Sequence, residues 1–167
     1  KPRDFFLSLE EIQAISQSKL VEIASHSFDL HQGVLANPQG NTQPAAVTLK
    51  FDAKSKLYEQ EDVYRKRILN DLQQNSDFIQ TVTGKKPRAI VWPYGEFNQL
   101  SEELAKSLGH QLSLTLKSAI NTAQPGNSVN RILILGNPPL ADFVYSLRHF
   151  AAEDPVRVAH VDLDYVY

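Results

Sequence analysis

Residues 85–98 read KKPRAIVWPYGEFN, and the apolar run AIVW at 89–92 decides the fold. A continuous apolar stretch that follows a proline and ends in Pro-Tyr-Gly has the pattern of a strand buried on both faces. Such strands belong to parallel sheets, which helices cover on both sides. On the N-terminal side, Val63, Ile68, Leu72, Ile79 and Val82 recur at near-helical spacing. They predict a helix of about six turns, with Gly84 as the residue just past its end. On the C-terminal side, Leu100, Leu104 and Leu108 share a helix face that Gly109 stops. LSLTL at 112–116 reads as a second strand and ILIL at 132–135 as a third, separated by a polar loop to Asn130. PPLADFVYSLRHFAA opens with prolines that suit a first helical turn, and VAHVDLDYVY reads as a last strand.

Toward the N-terminus, Ser8 and Glu11 form a capping-box pair ahead of the stripe Leu9, Ile12 and Ile15. LVEIA at 20–24 is short and apolar, the pattern of a buried strand. From Val34 to about Gln60 the chain is rich in turn residues, with one strand expected at Ala46–Phe51. Helix and strand therefore alternate, with connections long enough for parallel crossovers. The fold class is α/β with a parallel sheet or barrel, without internal repeats.

The balance of 17 Lys plus Arg against 19 Asp plus Glu gives a net charge of −2 over 167 residues. That argues against nucleic acid as a partner, because binding a phosphate backbone requires a clustered basic face. With no Cys, disulfides and zinc–thiolate sites are excluded. A chain of this size buries about 70% of its unfolded surface and can build a core without them. No apolar run is long enough for a membrane span, and the N-terminal residues lack a signal-peptide pattern. The absence of Met predicts that residue 1 is not the translational start.

In such folds, chemistry gathers at the carboxyl ends of strands, which here directs attention to 26–33 and 93–98. His26 and His31 in SHSFDLHQG lie five residues apart, about 140° around a helix and on opposite faces of a strand. Only a turn brings them together. Asp29 between them is a candidate third oxygen ligand or an imidazole partner. The plainer alternative is two polar loop histidines. Trp92, Pro93, Tyr94 and Gly95 form the second cluster: aromatic faces suit the apolar side of a sugar ring, and glycine permits close backbone approach. The alternative there is a strand-ending turn with Trp92 in the core. His110 and His149 are expected as cap or surface residues. Asp162 and Asp164 share a strand face, as an acid/base pair or simply as solvated carboxylates. The mixed-charge run Glu59–Arg67 is expected to be a solvated helix face.

Together the two clusters resemble the polysaccharide deacetylases of carbohydrate esterase family four. SHSFDLHQG looks like that family's histidine motif and VWPYGEFN like its proline-tyrosine-glycine motif. The order LVEIASHSFDLHQG, YRKRILNDL, IVWPYGEFN, HVDLDYVY is most similar to members acting on poly-β-1,6-N-acetyl-D-glucosamine, a biofilm exopolysaccharide. The resemblance implies part of a distorted (β/α) barrel lacking its first strands. Residues 1–156 would be the C-terminal portion of the deacetylase domain, and 157–167 a linker or the first strand of a truncated following domain. It also implies metal-dependent hydrolysis of N-acetyl groups. The divalent cation would be zinc, with nickel, cobalt or iron as alternatives, held by His26 and His31 and by an aspartate from outside this chain. Tyr94 would be catalytic through its backbone N–H, while Trp92, Pro93 and Gly95 would bind the poly-N-acetylglucosamine polysaccharide. Exopolysaccharide export machinery would be a further partner, in the periplasm at the outer membrane. Two departures stand out. No Thr-Phe-Asp-Asp-Gly string supplies the family's base and ligand aspartates, so the chain alone is expected to be poorly active. Val91 stands where many relatives carry an arginine that tunes the base. The rival expectation is a non-catalytic carbohydrate-binding module on the same fold.

Overall fold

The computed structural model describes residues 6–119, 121, 128–134 and 136–152. Its centre is a parallel sheet in the order β5 (Ala89–Val91), β6 (Leu112–Leu114), β7 (Ser128–Val129). Ala89 faces Leu112 and Val91 faces Leu114 in the first pair, and Ser113 faces Ser128 in the second. Two short antiparallel hairpins precede it: β1 (Gly33–Leu35) with β2 (Thr42–Pro44), and β3 (Phe51–Asp52) with β4 (Leu57–Tyr58). The helices are α1 (Leu9–Ser16), α2 (Glu61–Thr83), α3 (Gln99–Ser107) and α4 (Leu140–Ala152). Among the described residues no helix is long and apolar enough to cross a membrane.

Local signals place the helices. Ser8 Oγ accepts the Glu11 N–H at 3.2 Å while Glu11 Oε2 accepts the Ser8 N–H at 2.7 Å, the reciprocal capping box expected from the sequence. At the far end of α2, Gly84 adopts φ 76° and its N–H donates to Gln80 O at 2.8 Å, closing the helix without a Cβ penalty. The buried side of α2 carries Tyr64, Ile68, Leu72 and Ile79, which pack with Ile90, Trp92, Leu104 and Ala105 as the core. Val63, expected on this face, is exposed, and its neighbour Tyr64 takes the core position.

Three strand expectations need correction. LVEIA at 20–24 is not a buried strand: Leu20 is 94% exposed, and pairing begins only at Ser25, which bridges Ile90 in parallel. The Ser25 N–H donates to Ala89 O and its carbonyl accepts from the Val91 N–H. Without a described partner along 20–24, the apolar run has no ladder to join. The third strand is Ser128–Val129 rather than 132–135; Leu133 and Ile134 are exposed, and of this run Leu135 lies outside the described residues. The edge of β6 is reached by residues inside the stretch read as a polar loop, where the Thr115 N–H donates to Val129 O at 2.9 Å. In the 34–60 excursion, paired hairpins replace a strand at 46–51, with only Phe51 of that span in a strand. The last strand expected from the sequence, Asp162, Asp164 and the segment 157–167 lie outside the described residues.

The charged run Glu59–Arg67 is likewise not a purely solvated face. Arg67 donates to Ala45 O and Thr48 O and to both carboxylate oxygens of Glu59, tying the hairpin segment to α2. Burial raises the Glu59 carboxyl, but Arg67 and the Lys50 N–H outweigh this and hold it below its ordinary range.

His110 is also no surface residue. It is buried beneath α2 with Nε2 3.2 Å from Ser76 Oγ, and burial holds its imidazole below its ordinary pKa. In the unfolded chain the same ring protonates near the ordinary value of 6.5, so on acidification the unfolded state takes up this proton first. Stability carried by neutral His110 should therefore decline as pH falls below about 6.5. Urea midpoints between pH 7 and pH 5 should drop more steeply for the parent than for His110→Gln; parallel slopes would remove His110 as the cause. His149 stacks on Tyr145 on the exposed side of α4, as expected.

Candidate functional site

Because Ser25 is the last residue to pair with β5, His26 emerges at the carboxyl edge of the sheet. Ser27 then turns the chain with φ 69°, a left-handed conformation that costs a non-glycine residue about 1–2 kcal/mol. Its Oγ accepts the Leu30 N–H at 3.2 Å, closing the turn. His31 returns beside His26, with ring centroids 4.8 Å apart and planes at 81°. The awkward five-residue spacing is thus resolved by a turn. His26 Nδ1 lies 2.6 Å from Val91 O. A carbonyl only accepts, so Nδ1 carries the proton and the Nε2 lone pair is left free, the tautomer a metal ligand needs.

On the other strand end, Pro93–Gly95 forms a single 3₁₀ turn. Tyr94 (φ 58°) and Gly95 (φ 75°) are both left-handed, and the Tyr94 ring packs edge-on against His31 with centroids 4.7 Å apart. Gly95 is required for a second reason: a Cβ there would lie 2.5 Å from Leu116 N, in the backbone just past β6. The internal bonds of this turn start at Gly95, whose N–H donates to Trp92 O at 2.9 Å, so the Tyr94 N–H precedes them. His26, His31, Val91, Tyr94, Leu116 and Arg131 line one open pocket of about 420 Å³. A second pocket of about 440 Å³, bounded by Gly33, Thr42, Pro44 and Glu96, shares Tyr94 as a wall.

The structure separates the remaining expected site residues. Trp92 borders the histidine pocket but has no exposed surface; its ring stacks on Phe97 at 5.6 Å within the core and presents no open face to a sugar. Pro93 is buried as well, and Gly95 shapes the turn through its backbone. Tyr94, about half exposed, is the aromatic ring that solvent reaches. Asp29 lines a different pocket, with Phe28, Arg67 and Asp71, and is not brought to the histidines. Arg131 was missed by sequence reasoning, for it follows a polar loop and belongs to no motif. Its Nε–H donates to Thr115 O at 2.7 Å, which aims a half-buried cation toward the histidine pocket.

Two converging imidazole rings, one of them with its Nε2 left free by the Val91 O bond, suit a divalent cation. Among the described residues no group of three His, Cys, Asp or Glu side chains assembles to complete such a site. A profile of the polysaccharide deacetylase family matches residues 8–113, a span that holds both histidines and the Pro-Tyr-Gly turn. The chain belongs to the polysaccharide deacetylase family. The chain is 34% identical over 165 residues, 99% of its length, to a poly-beta-1,6-N-acetyl-D-glucosamine N-deacetylase of Escherichia coli (strain K12). It spans about a quarter of the length of that curated relative, the matched share being 25%. Among solved structures it is similar to the deacetylase domain of BpsB from Bordetella bronchiseptica. That match has a TM-score of 0.73 and 42% identity, and covers 78% of this chain and 50% of that one. A de-N-acetylase from Aggregatibacter actinomycetemcomitans matches with a TM-score of 0.78 and 37% identity, over 87% of this chain and 55% of the other. These likenesses bear out the α/β class and its reading as part of a deacetylase-type barrel.

Proposed function

We propose that this chain carries the histidine side of an active site that hydrolyses N-acetyl groups of poly-β-1,6-N-acetyl-D-glucosamine. Support comes from the named relatives and, above all, from the convergence of His26 and His31 with Nδ1 of His26 anchored on Val91 O. His26 and His31 would hold a divalent cation, zinc by preference, although imidazole also suits nickel, cobalt and iron. When bound, that cation supplies Lewis-acid polarisation of an acetamide and a more acidic water.

The remaining chemistry belongs to the chain. Val91 O keeps His26 in one tautomer and one orientation. The Tyr94 N–H, not used within its turn, donates toward the oxygen on which negative charge grows as the acetyl carbon becomes tetrahedral. Arg131, fixed through Nε, places a positive charge by the same pocket. Tyr94 also offers its exposed ring to the sugar, between two pockets that together accommodate more than one residue of a polysaccharide. In this reading residues 1–156 form deacetylase domain, 157–167 lead onward, and the base is an aspartate beyond this sequence. The setting is the periplasm, at the outer membrane beside export machinery. Incubating the zinc-loaded chain with N-acetylglucosamine oligomers and measuring acetate tests the reading. Acetate release that depends on His31 supports it; oligomer binding without acetate, even with an aspartate-bearing partner segment added, would favour a carbohydrate-binding module instead.

A further inference from the structure

The two histidines do not hold themselves together. The segment between them is gripped in its middle by α2, from a residue 42 to 43 positions away: Asp71 Oδ1 accepts the Phe28 N–H at 2.9 Å, and Asp71 Oδ2 accepts the Asp29 N–H at 2.6 Å. One turn further along the same helix face, Asn75 Oδ1 accepts the Ser25 hydroxyl at 2.7 Å, and that hydroxyl in turn accepts the Ser27 N–H. One turn earlier, Arg67 donates to the carbonyls of Ala45 and Thr48. Residues 67, 71 and 75 follow the i, i+4 rule, so this polar edge of α2 meets successive loops with matched chemistry: a donor for carbonyls, then acceptors for amides and a hydroxyl.

We infer that Asp71 is a positioning residue for the histidine pair, holding the Ser27–Leu30 turn closed so that the His26 and His31 rings converge. This rests on the proposed role of those histidines. A carboxylate is the side chain that the geometry calls for. Two N–H donors need two acceptors, and an amide of the same shape would present one acceptor and one donor. Charge-assisted bonds to backbone N–H groups are also about twice as strong as neutral ones. Asp71 is buried, and that burial pushes its carboxyl above the ordinary range despite the Phe28 and Asp29 bonds, with the charge of Asp29 adding to the rise. A group kept charged against this cost does little for the packing of α2 itself. Its effect falls on the turn, which already contains the strained Ser27.

The test compares parent, Asp71→Asn and Asp71→Ala by NMR in the full chain, first without metal and then titrated with Zn²⁺ alone. Protected amides in α2 and β5 establish that each variant is folded. Asp71→Asn should keep one bond and Asp71→Ala neither. The His26–His31 ring contacts should therefore weaken in that order, and amide exchange at Phe28 and Asp29 should quicken. Zn²⁺ affinity should fall by about 10- to 100-fold, the usual effect of losing a partner that orients metal ligands. If Asp71→Ala unfolds, the Asn variant still reads the half-effect. Unchanged ring contacts in a folded variant would overturn the inference. Failure of the parent itself to bind Zn²⁺ would instead count against the proposed metal site, with the ring contacts alone then deciding the role of Asp71.

Discussion

Trp92→Ala is expected to lower the unfolding free energy by about 3–5 kcal/mol, the range for removing a large aromatic side chain from a core. The indole is wholly enclosed, stacks on Phe97 and lies in one cluster with Ile90, Ile68, Leu72 and Leu104. Small domains are stable by only about 5–15 kcal/mol, so the variant should unfold at much lower urea. The indole Nε1–H finds no acceptor among the described residues. Trp92→Phe, which removes that unpaired donor and keeps a ring, should therefore cost much less than Trp92→Ala. A sugar platform at the surface would show the opposite: nearly unchanged urea midpoints and weakened oligosaccharide binding. Finding that pattern would return Trp92 to the groove and contradict its burial.

The other large effect is on metal affinity. His26→Ala and His31→Ala should each weaken Zn²⁺ binding by more than about 100-fold, since losing a residue that only orients a metal ligand already costs about 10- to 100-fold. Both rings are exposed at the sheet edge, so stability should change little compared with Trp92→Ala. His26→Ala also strips Val91 O of its imidazole partner, although that carbonyl stays near solvent and can take up water. His110→Gln serves as the comparison: its ring is buried against Ser76, away from the pocket, and Zn²⁺ affinity should be unaffected. Calorimetric titration distinguishes these outcomes, and equal affinities for parent and His31→Ala would dissolve the site.

Sequence alone determined whatever depends on neighbours in the chain. The Ser8–Glu11 capping box needs partners three residues apart, the end of α2 needs one glycine at positive φ, and the apolar run AIVW marks the place of β5, of which Ala89–Val91 pairs. The two histidines and the Pro-Tyr-Gly turn were also legible, as a pair of motifs in the right order. Tertiary structure decided where those parts meet. The β6 edge selected Ser128 and Val129 over the more apolar run at 132–135, because a strand is defined by the ladder it joins. Phe97 and the α2 face drew Trp92 inward while leaving Tyr94 outside, a choice two aromatic residues on either side of a proline do not reveal. Arg67, read as one charge in a solvated run, found its acceptors about 20 residues upstream, since a guanidinium can satisfy buried carbonyls that no local group reaches. The convergence of His26 and His31 depends on a carboxylate 42 positions beyond Asp29, contributed by a helix whose own pattern gives no sign of it. Backbone periodicity is set by covalent geometry and is written along the chain. The pairing of buried polar groups is set by which surfaces the fold presses together.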